Sequence, residues 1–208
     1  MRKYLFVLFF LVVFVSYLAA SDITINEVYY TVKGNGNSNQ WIELYNNSSK
    51  QIDIGGWKIS TSKSPDDGFI IPAGTTIGPK GFLVFAASKD VMSTLWGVKN
   101  SVVEYGDALG FSQEGEDIHL YNQSNTEIDA VWYGNGGDMG SNKAAKAVSF
   151  GMSIARSPDG NDSNNPSLDF SERFPTPAQS NSFTGFSQST WGKIKAIYSI
   201  KKRLFFGV

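Results

Sequence analysis

The 208-residue chain contains no cysteine and only one histidine, His119. Without cysteine it cannot form a disulfide framework, a thiol nucleophile, an iron–sulfur cluster or a thiolate zinc site. A single histidine cannot supply a multi-histidine zinc or copper site, and a Ser-His-Asp triad would have to be built on His119 alone. These absences disfavour most enzyme classes, and the sequence predicts a protein that is not an enzyme.

The chain also lacks an excess of either charge, with 18 Lys+Arg against 19 Asp+Glu. The balance differs along the chain, because residues 1–20 carry two basic residues and no acid, and residues 191–208 carry five basic residues and no acid. Without these ends, 11 basic and 19 acidic residues remain, a net charge of about −8. This acidic body disfavours binding to nucleic acid.

No apolar run reaches the roughly 20 residues that span a bilayer comfortably. The longest, residues 4–15, follows Arg2 and Lys3 and precedes the small residues Ala19, Ala20 and Ser21. This order is typical of a secretory signal peptide, which we predict over residues 1–21. We expect the signal to be removed and the mature protein to be secreted or held in the cell envelope, in the periplasm or at the cell surface.

Short runs of β-branched and aromatic residues, each closed by Gly, Asn, Pro or Asp, recur along the mature chain and predict an all-β domain. We predict strands over residues 23–31, 40–46, 51–60, 68–71, 81–86, 107–111, 117–121, 127–133 and 153–156, and one helical turn over 91–96. Short strands without long helices favour two packed antiparallel sheets, an immunoglobulin-like β-sandwich.

Alternation within the predicted strands assigns their faces. In the strand 40–46, Ile42 and Leu44 share one face, and Glu43 lies on the other with the neighbouring aromatic residues. In the strand 117–121, Ile118 is expected to be buried, whereas His119 should point outward and be exposed.

Four segments of the chain, in order, resemble the bacterial lamin tail domain, an immunoglobulin-like module of exported proteins. They are Ile25-Asn26-Glu27-Val28, Trp41-Ile42-Glu43-Leu44-Tyr45-Asn46, Ile54-Gly55-Gly56-Trp57-Lys58-Ile59, and Pro72-Ala73-Gly74-Thr75-Thr76-Ile77 before Phe82-Leu83-Val84-Phe85. Residues 153–162 resemble the closing motif of the family and residues 176–181 its usual ending. The resemblance implies a lamin-tail-like β-sandwich over residues 22–181.

In that family the domain is an accessory module, thought to attach to proteins, envelopes or nucleic acid. Since no catalytic domain accompanies it in this chain, the resemblance favours a binding or structural module. We therefore expect a non-enzymatic exported protein that acts at the cell envelope or outside the cell. Its partner would be an envelope or extracellular protein or a polysaccharide, and no small-molecule substrate is expected.

A loop late in the chain carries oxygen-bearing side chains at the spacing of a calcium site. The candidate ligands are Asp159, Asn161, Asp162, Asn165 and Asp169. Calcium prefers six to eight oxygen ligands, but the loop departs from the EF-hand pattern at the glycine and glutamate positions. The alternative is a run of turns in which Asp and Asn side chains bind their own backbone. No other cofactor is expected.

Other residues allow a catalytic interpretation and a structural one. Glu27 and Glu43 lie on strands expected to be neighbours, and paired carboxylates can hydrolyse glycosides. The resemblance gives neither a catalytic role, so we expect outward-facing or edge-facing acids that are hydrogen-bonded to loops. Arg156 and Asp159 are expected to pair under the closing loop. His119 and Asp117 share a strand face, but no serine motif accompanies them.

Aromatic side chains provide an alternative function. Tyr29, Tyr30, Trp132 and Tyr133 fall at strand ends, where exposed rings could stack on sugars. The alternatives to an attachment module are therefore a carbohydrate-binding or carbohydrate-active sandwich, and nucleic-acid attachment through the basic tail. Packing in the core is the structural interpretation of the same rings.

The end of the chain differs from the sandwich in composition. We predict a linker over residues 182–190 and a basic amphipathic tail over residues 191–208. The tail could touch anionic lipid as a peripheral membrane contact, dock on a partner, or serve as a sorting signal. A solvated tail without a fixed structure is the alternative.

Overall fold

The computed structural model describes residues 21–32, 37–136 and 143–182. Residues 1–20 of the predicted signal, nearly all of the linker and the whole basic tail lie outside the described residues. In chain order the strands are β1 (Ile23–Tyr29), β2 (Trp41–Asn46), β3 (Ile52–Asp53), β4 (Lys58–Ser60), β5 (Phe69–Ile70), β6 (Thr76–Ile77), β7 (Phe82–Ala86), β8 (Val102–Glu104), β9 (Gly115–Tyr121), β10 (Glu127–Gly134), β11 (Ser153–Arg156) and β12 (Phe170–Arg173). The short helices are α1 (Lys89–Val91), continued by a π-helical turn (Met92–Trp96), and α2 (Pro166–Asp169).

The strands form two main sheets. The large sheet has the order β12-β11-β1-β2-β7-β8, the small sheet has the order β10-β9-β4-β5, and β3 pairs with β6 separately. Neighbouring strands are antiparallel except for β7 and β8, which are parallel. This arrangement confirms the predicted immunoglobulin-like sandwich.

The sequence located most of the strands but not all of their limits. The predicted strand 51–60 is two strands, because a turn with Gly56 at a φ of +77° separates β3 from β4. The predicted strand 107–111 is irregular, and the backbone N–H of Phe111 donates to the side chain of Gln40 instead of to a neighbouring strand. β6, β8 and β12 were not predicted. The helical turn expected over 91–96 is present.

The main core lies between the two sheets, and the alternation of β2 places Ile42 and Leu44 in it, as predicted. A second apolar cluster covers the opposite face of the large sheet, where the indole of Trp41 lies 5.7 Å from the ring of Tyr29 and 5.9 Å from that of Trp96. β2 is therefore buried on both faces. Within the described part of the chain, no helix has the length and apolar character needed to cross a membrane.

Candidate functional site

Two glutamates lie side by side on the large sheet, on the face that points away from the main core. A bulge between Ile25 and Glu27 changes the register of β1 and makes Glu27 the direct partner of Glu43 on β2. Both side chains are completely buried. Two buried carboxyl groups next to each other need donors or protons, since a bare buried charge is costly.

The donors come from the end of the described chain, residues 174–182, which we call the C-terminal strap. Glu27 accepts hydrogen bonds from the backbone N–H of Thr176 at 3.1 Å and from its hydroxyl at 3.0 Å. Glu43 accepts one from the backbone N–H of Ala178 at 2.6 Å and one from the side-chain amide of Asn26 at 3.2 Å. The expectation that both acids are hydrogen-bonded to loops is confirmed, but neither lies at an edge, because both are completely buried on the central strands β1 and β2.

A third carboxylate, Asp159, fastens the loop after β11 to the strap. It accepts hydrogen bonds from the backbone N–H of Asn181 at 2.9 Å, the hydroxyl of Ser180 at 2.5 Å and the side chain of Asn26 at 3.1 Å. Gly160 follows with a φ of +69°, and a Cβ there would lie 2.9 Å from the ring of Tyr45. Only glycine fits this approach without a shift of the ring.

The electrostatics of the glutamate pair favour a bound proton. Burial raises the pKa of Glu27 to about 7. Burial, and then the charges of Glu27 and Asp159, raise the pKa of Glu43 well above its usual value. Hydrogen bonds from the strap lower the pKa values of both glutamates, but by less than the loss of hydration raises them.

A second buried cluster surrounds Arg156 where β11 meets the small sheet. Its Nη2 lies 3.1 Å from each carboxylate oxygen of Asp129, and its Nη1 lies 3.3 Å from Asp162 and 3.2 Å from Asp169. Nε donates to the carbonyl of Ile25 at 2.8 Å. Burial raises the pKa of Asp129 to about 7, although the guanidinium acts against this shift. The cluster connects the two sheets to the loop after β11, residues 157–169, which we call the closing loop.

The expected pair between Arg156 and Asp159 is wrong. The guanidinium binds Asp129, Asp162 and Asp169, while Asp159 is held under the strap. Asp129 was not among the residues predicted from the sequence, although its position in the strand pattern indicates it. Asp129 alternates with Val131 and Tyr133, which are core residues, so its carboxylate falls on the inward-facing side of β10.

Of the five candidate calcium ligands, Asp159 is held under the strap, whereas Asn161, Asp162, Asn165 and Asp169 lie together in the loop after β11. Asp169 accepts hydrogen bonds from the backbone N–H groups of Ser163 at 3.0 Å and Asn165 at 3.3 Å, and Asn161 donates to it at 3.4 Å. Asp162 and Asp169 face Arg156. Within residues 21–32, 37–136 and 143–182, no group of three or more His, Cys, Asp and Glu is placed to hold a metal ion. Calcium binding by this loop and its alternative, a run of turns in which the side chains bind their own backbone, both stay predictions.

His119 is buried, with 1% of its surface exposed, so the expectation of an exposed histidine is wrong. The segment after β4 covers this face of the small sheet, because the hydroxyl of Tyr121 donates to the carbonyl of Lys63 at 2.9 Å. Nδ1 of His119 lies 2.7 Å from Glu127. Among the described residues its Nε2 has no hydrogen-bond partner, and neighbouring Ser60 instead donates to the carbonyl of Ser64. The described residues therefore form no Ser–His relay.

The aromatic residues at the strand ends are packed inside the protein. Tyr29, Tyr30, Trp132 and Tyr133 are all buried, and the rings of Tyr30 and Tyr133 stack at 3.9 Å. The packing interpretation is confirmed, so these rings do not offer an open stacking surface for sugars.

Comparison with known proteins agrees with this fold. A family model described as Lamin Tail Domain matches residues 18–135, more than half of the chain. A search of curated proteins finds no match. The matched range ends just after β10, and β11 completes the same sandwich by pairing with β1. The chain therefore belongs to the lamin tail domain family, whose members are immunoglobulin-like modules.

Proposed function

We propose that this protein is an exported, non-enzymatic attachment module that acts at the cell envelope or outside the cell. The observation that carries the proposal is that the two paired acids are buried and hydrogen-bonded within the protein. Glu27 and Glu43 are the pair that a glycoside hydrolase would need, and both are completely buried under the C-terminal strap. A catalytic acid must reach its substrate, and within the described part of the chain these carboxyl groups contact the strap and the neighbouring side chains of Ser153 and Asn26.

The same bonds support a scaffold role. Glu27, Glu43 and Asp159 fasten the strap and the closing loop to the large sheet, and Arg156 fastens the small sheet to it. A rigid sandwich with fixed loop bases can present loop surfaces to a partner at little entropic cost. This is the requirement of an attachment module.

The described surface favours a protein as partner. Phe150 and Phe174 are 58% and 56% exposed. They lie at the same end of the β11–β12 pair, because Phe174 follows Arg173, whose register partner Ser153 comes three residues after Phe150. Exposed aromatic side chains are enriched where proteins meet. We propose that this end contributes to the binding surface and that the basic tail, residues 191–208, serves sorting or attachment.

The test is a pull-down from the envelope and medium of the producing cell, using residues 22–208 as bait. A second bait lacks residues 191–208, a third carries Phe150→Ser with Phe174→Ser, and a control carries Ile70→Ser, an exposed residue of the small sheet. Captured proteins are identified by mass spectrometry and bound again in purified form.

We expect a protein partner that the shortened bait and the Ile70 variant retain and that the double variant loses. A partner lost with the tail alone would make the sandwich a spacer and the tail the attachment element. Capture of a polysaccharide by all baits would favour the carbohydrate-binding alternative. Turnover of a glycan by the purified protein would overturn the non-enzymatic proposal.

A further inference from the structure

The C-terminal strap is attached to the sandwich mainly by side-chain acceptors instead of by strand pairing. Backbone N–H groups of Thr176, Ala178 and Asn181 donate to the carboxyl groups of Glu27, Glu43 and Asp159, respectively. A further backbone bond, from Gln179 to Thr176, stays within the strap. The strap is therefore held largely by carboxyl acceptors, beside the side-chain amide of Asn181, which donates to the carbonyls of Asn26 and Arg156.

Hydrogen-bond counting favours a proton on this cluster independently of any titration. The Thr176 hydroxyl lies 3.0 Å from Oε2 of Glu27 and 2.8 Å from Oδ1 of Asn181, and both neighbours are acceptors. The Ser153 hydroxyl likewise lies between Oε1 of Glu27 and the carbonyl of Arg173. A hydroxyl has one proton to donate, so each of these two sites has one acceptor more than it has donors, and a proton on Glu27 would supply the missing donor at one of them.

We propose that the strap is a pH-sensitive latch, which closes over the large sheet while the Glu27–Glu43 pair holds a proton and loosens when the pair loses it.

The charges around the pair explain why ionisation would open the strap. Among the described residues, the charged groups that act on Glu27 and Glu43 are each other and Asp159 from the closing loop, and no cation is among them. The guanidinium of Arg156 on β11 binds its own three aspartates, and Nε of Arg173 on β12 donates to Ser171 on the exposed side. From β7, the residue opposite Glu43 is the uncharged Val84. The raised pKa values of both glutamates agree with this surplus of buried acid.

Opening would expose part of the outer face of the large sheet. Ala178 packs against the outer cluster that contains Trp41, so a loosened strap admits water to that cluster.

The experiment is amide hydrogen exchange of the full mature chain at pH 5 and pH 8, corrected for the intrinsic pH dependence of exchange. The reporters are the amides of Thr176, Ala178 and Asn181, and the reference amides are those of Ile42 and Leu44 in the β1–β2–β7 ladder. We expect the opening equilibrium of the strap to rise on the order of 10- to 100-fold from pH 5 to pH 8, because one released proton can shift it by that much. The reference amides should change far less.

Glu27→Gln is the matched variant, since glutamine imitates the protonated carboxyl group, and Glu114→Gln removes an exposed acid as the control. We expect the Glu27 variant to keep the strap protected at pH 8 and the control to behave like the wild type. If Glu27→Gln fails to fold, a carboxyl carbon NMR titration of wild-type Glu27 provides the same information without a variant. Strap protection that is equal at pH 5 and pH 8 in the wild type, or a titration of Glu27 near its usual pKa, would overturn the proposal.

Discussion

The guanidinium of Arg156 is the cation that faces three buried aspartates. It contacts Asp129, Asp162 and Asp169, and its planar face lies 4.5 Å from the ring of Phe170. Replacing Arg156 with methionine keeps much of the volume but leaves these carboxylates without their cation. Removing one partner of a buried ion pair typically costs about 3–5 kcal/mol. We expect Arg156→Met to lower the free energy of unfolding by at least that amount, measured by urea denaturation.

Arg173→Met is the matched control, because Arg173 is partly exposed and its Nε donates only to Ser171. We expect this control to change stability by less than about 1 kcal/mol. Equal losses in both variants would show that the buried cluster contributes nothing specific.

At the same scale, the sequence predicted residues well where a motif and the alternation of a strand agreed. Glu43 alternates with the core residues Ile42 and Leu44, so its position on the opposite face followed directly. The burial of His119 did not follow, because it depends on the segment after β4 folding back over the sheet. Alternation assigns a side chain to a face, and it cannot show whether another segment covers that face.

At the scale of elements, the C-terminal strap and the basic tail should differ in their effect on stability. A chain ending at Ser182 keeps every donor of the strap, and a chain ending at Arg173 loses the strap's donors to Glu27 and Glu43, which keep those of Ser153 and Asn26. Losing a hydrogen bond to a buried acceptor costs about 1–3 kcal/mol. We expect the first truncation to leave the melting temperature nearly unchanged and the second to lower it clearly, by calorimetry. A large loss on removing residues 183–208 alone would show that the tail is part of the folded domain.

The closing loop, residues 157–169, offers a second test at this scale. Calcium would have to compete with Arg156 for Asp162 and Asp169 and with backbone N–H groups for Asp169. Because these donors already serve the carboxylates, we expect the same melting temperature in millimolar calcium and in chelator. A rise with calcium, lost in Asp162→Asn, would establish a calcium site.

The elements that the sequence did not reveal are short or lack an apolar pattern. β6 has two residues, and β12 reads Phe-Ser-Glu-Arg with a single buried side chain. β12 forms because β11 offers it an edge, as the pairing of Ser153 with Arg173 shows, and not because of its own composition. Such strands form because they pair with segments distant in the chain, and the local sequence pattern does not reveal this pairing.

At the scale of the whole molecule, the buried acids determine how stability depends on pH. The pKa of Glu27 rises from 4.5 to about 7 on folding, so between these values the folded state binds more protons than the unfolded chain. Stability must then fall as the pH rises through that window, by roughly 2–3 kcal/mol for one such group between pH 5 and pH 8. Glu43 and Asp129, whose pKa values are also raised, act in the same direction.

We expect the urea midpoint to be higher at pH 5 than at pH 8, the reverse of a protein whose carboxylates are stabilised as charges. Glu27→Gln should reduce this difference while Glu114→Gln leaves it unchanged, and a midpoint that rises with pH would show that the glutamates are ionised in the folded protein.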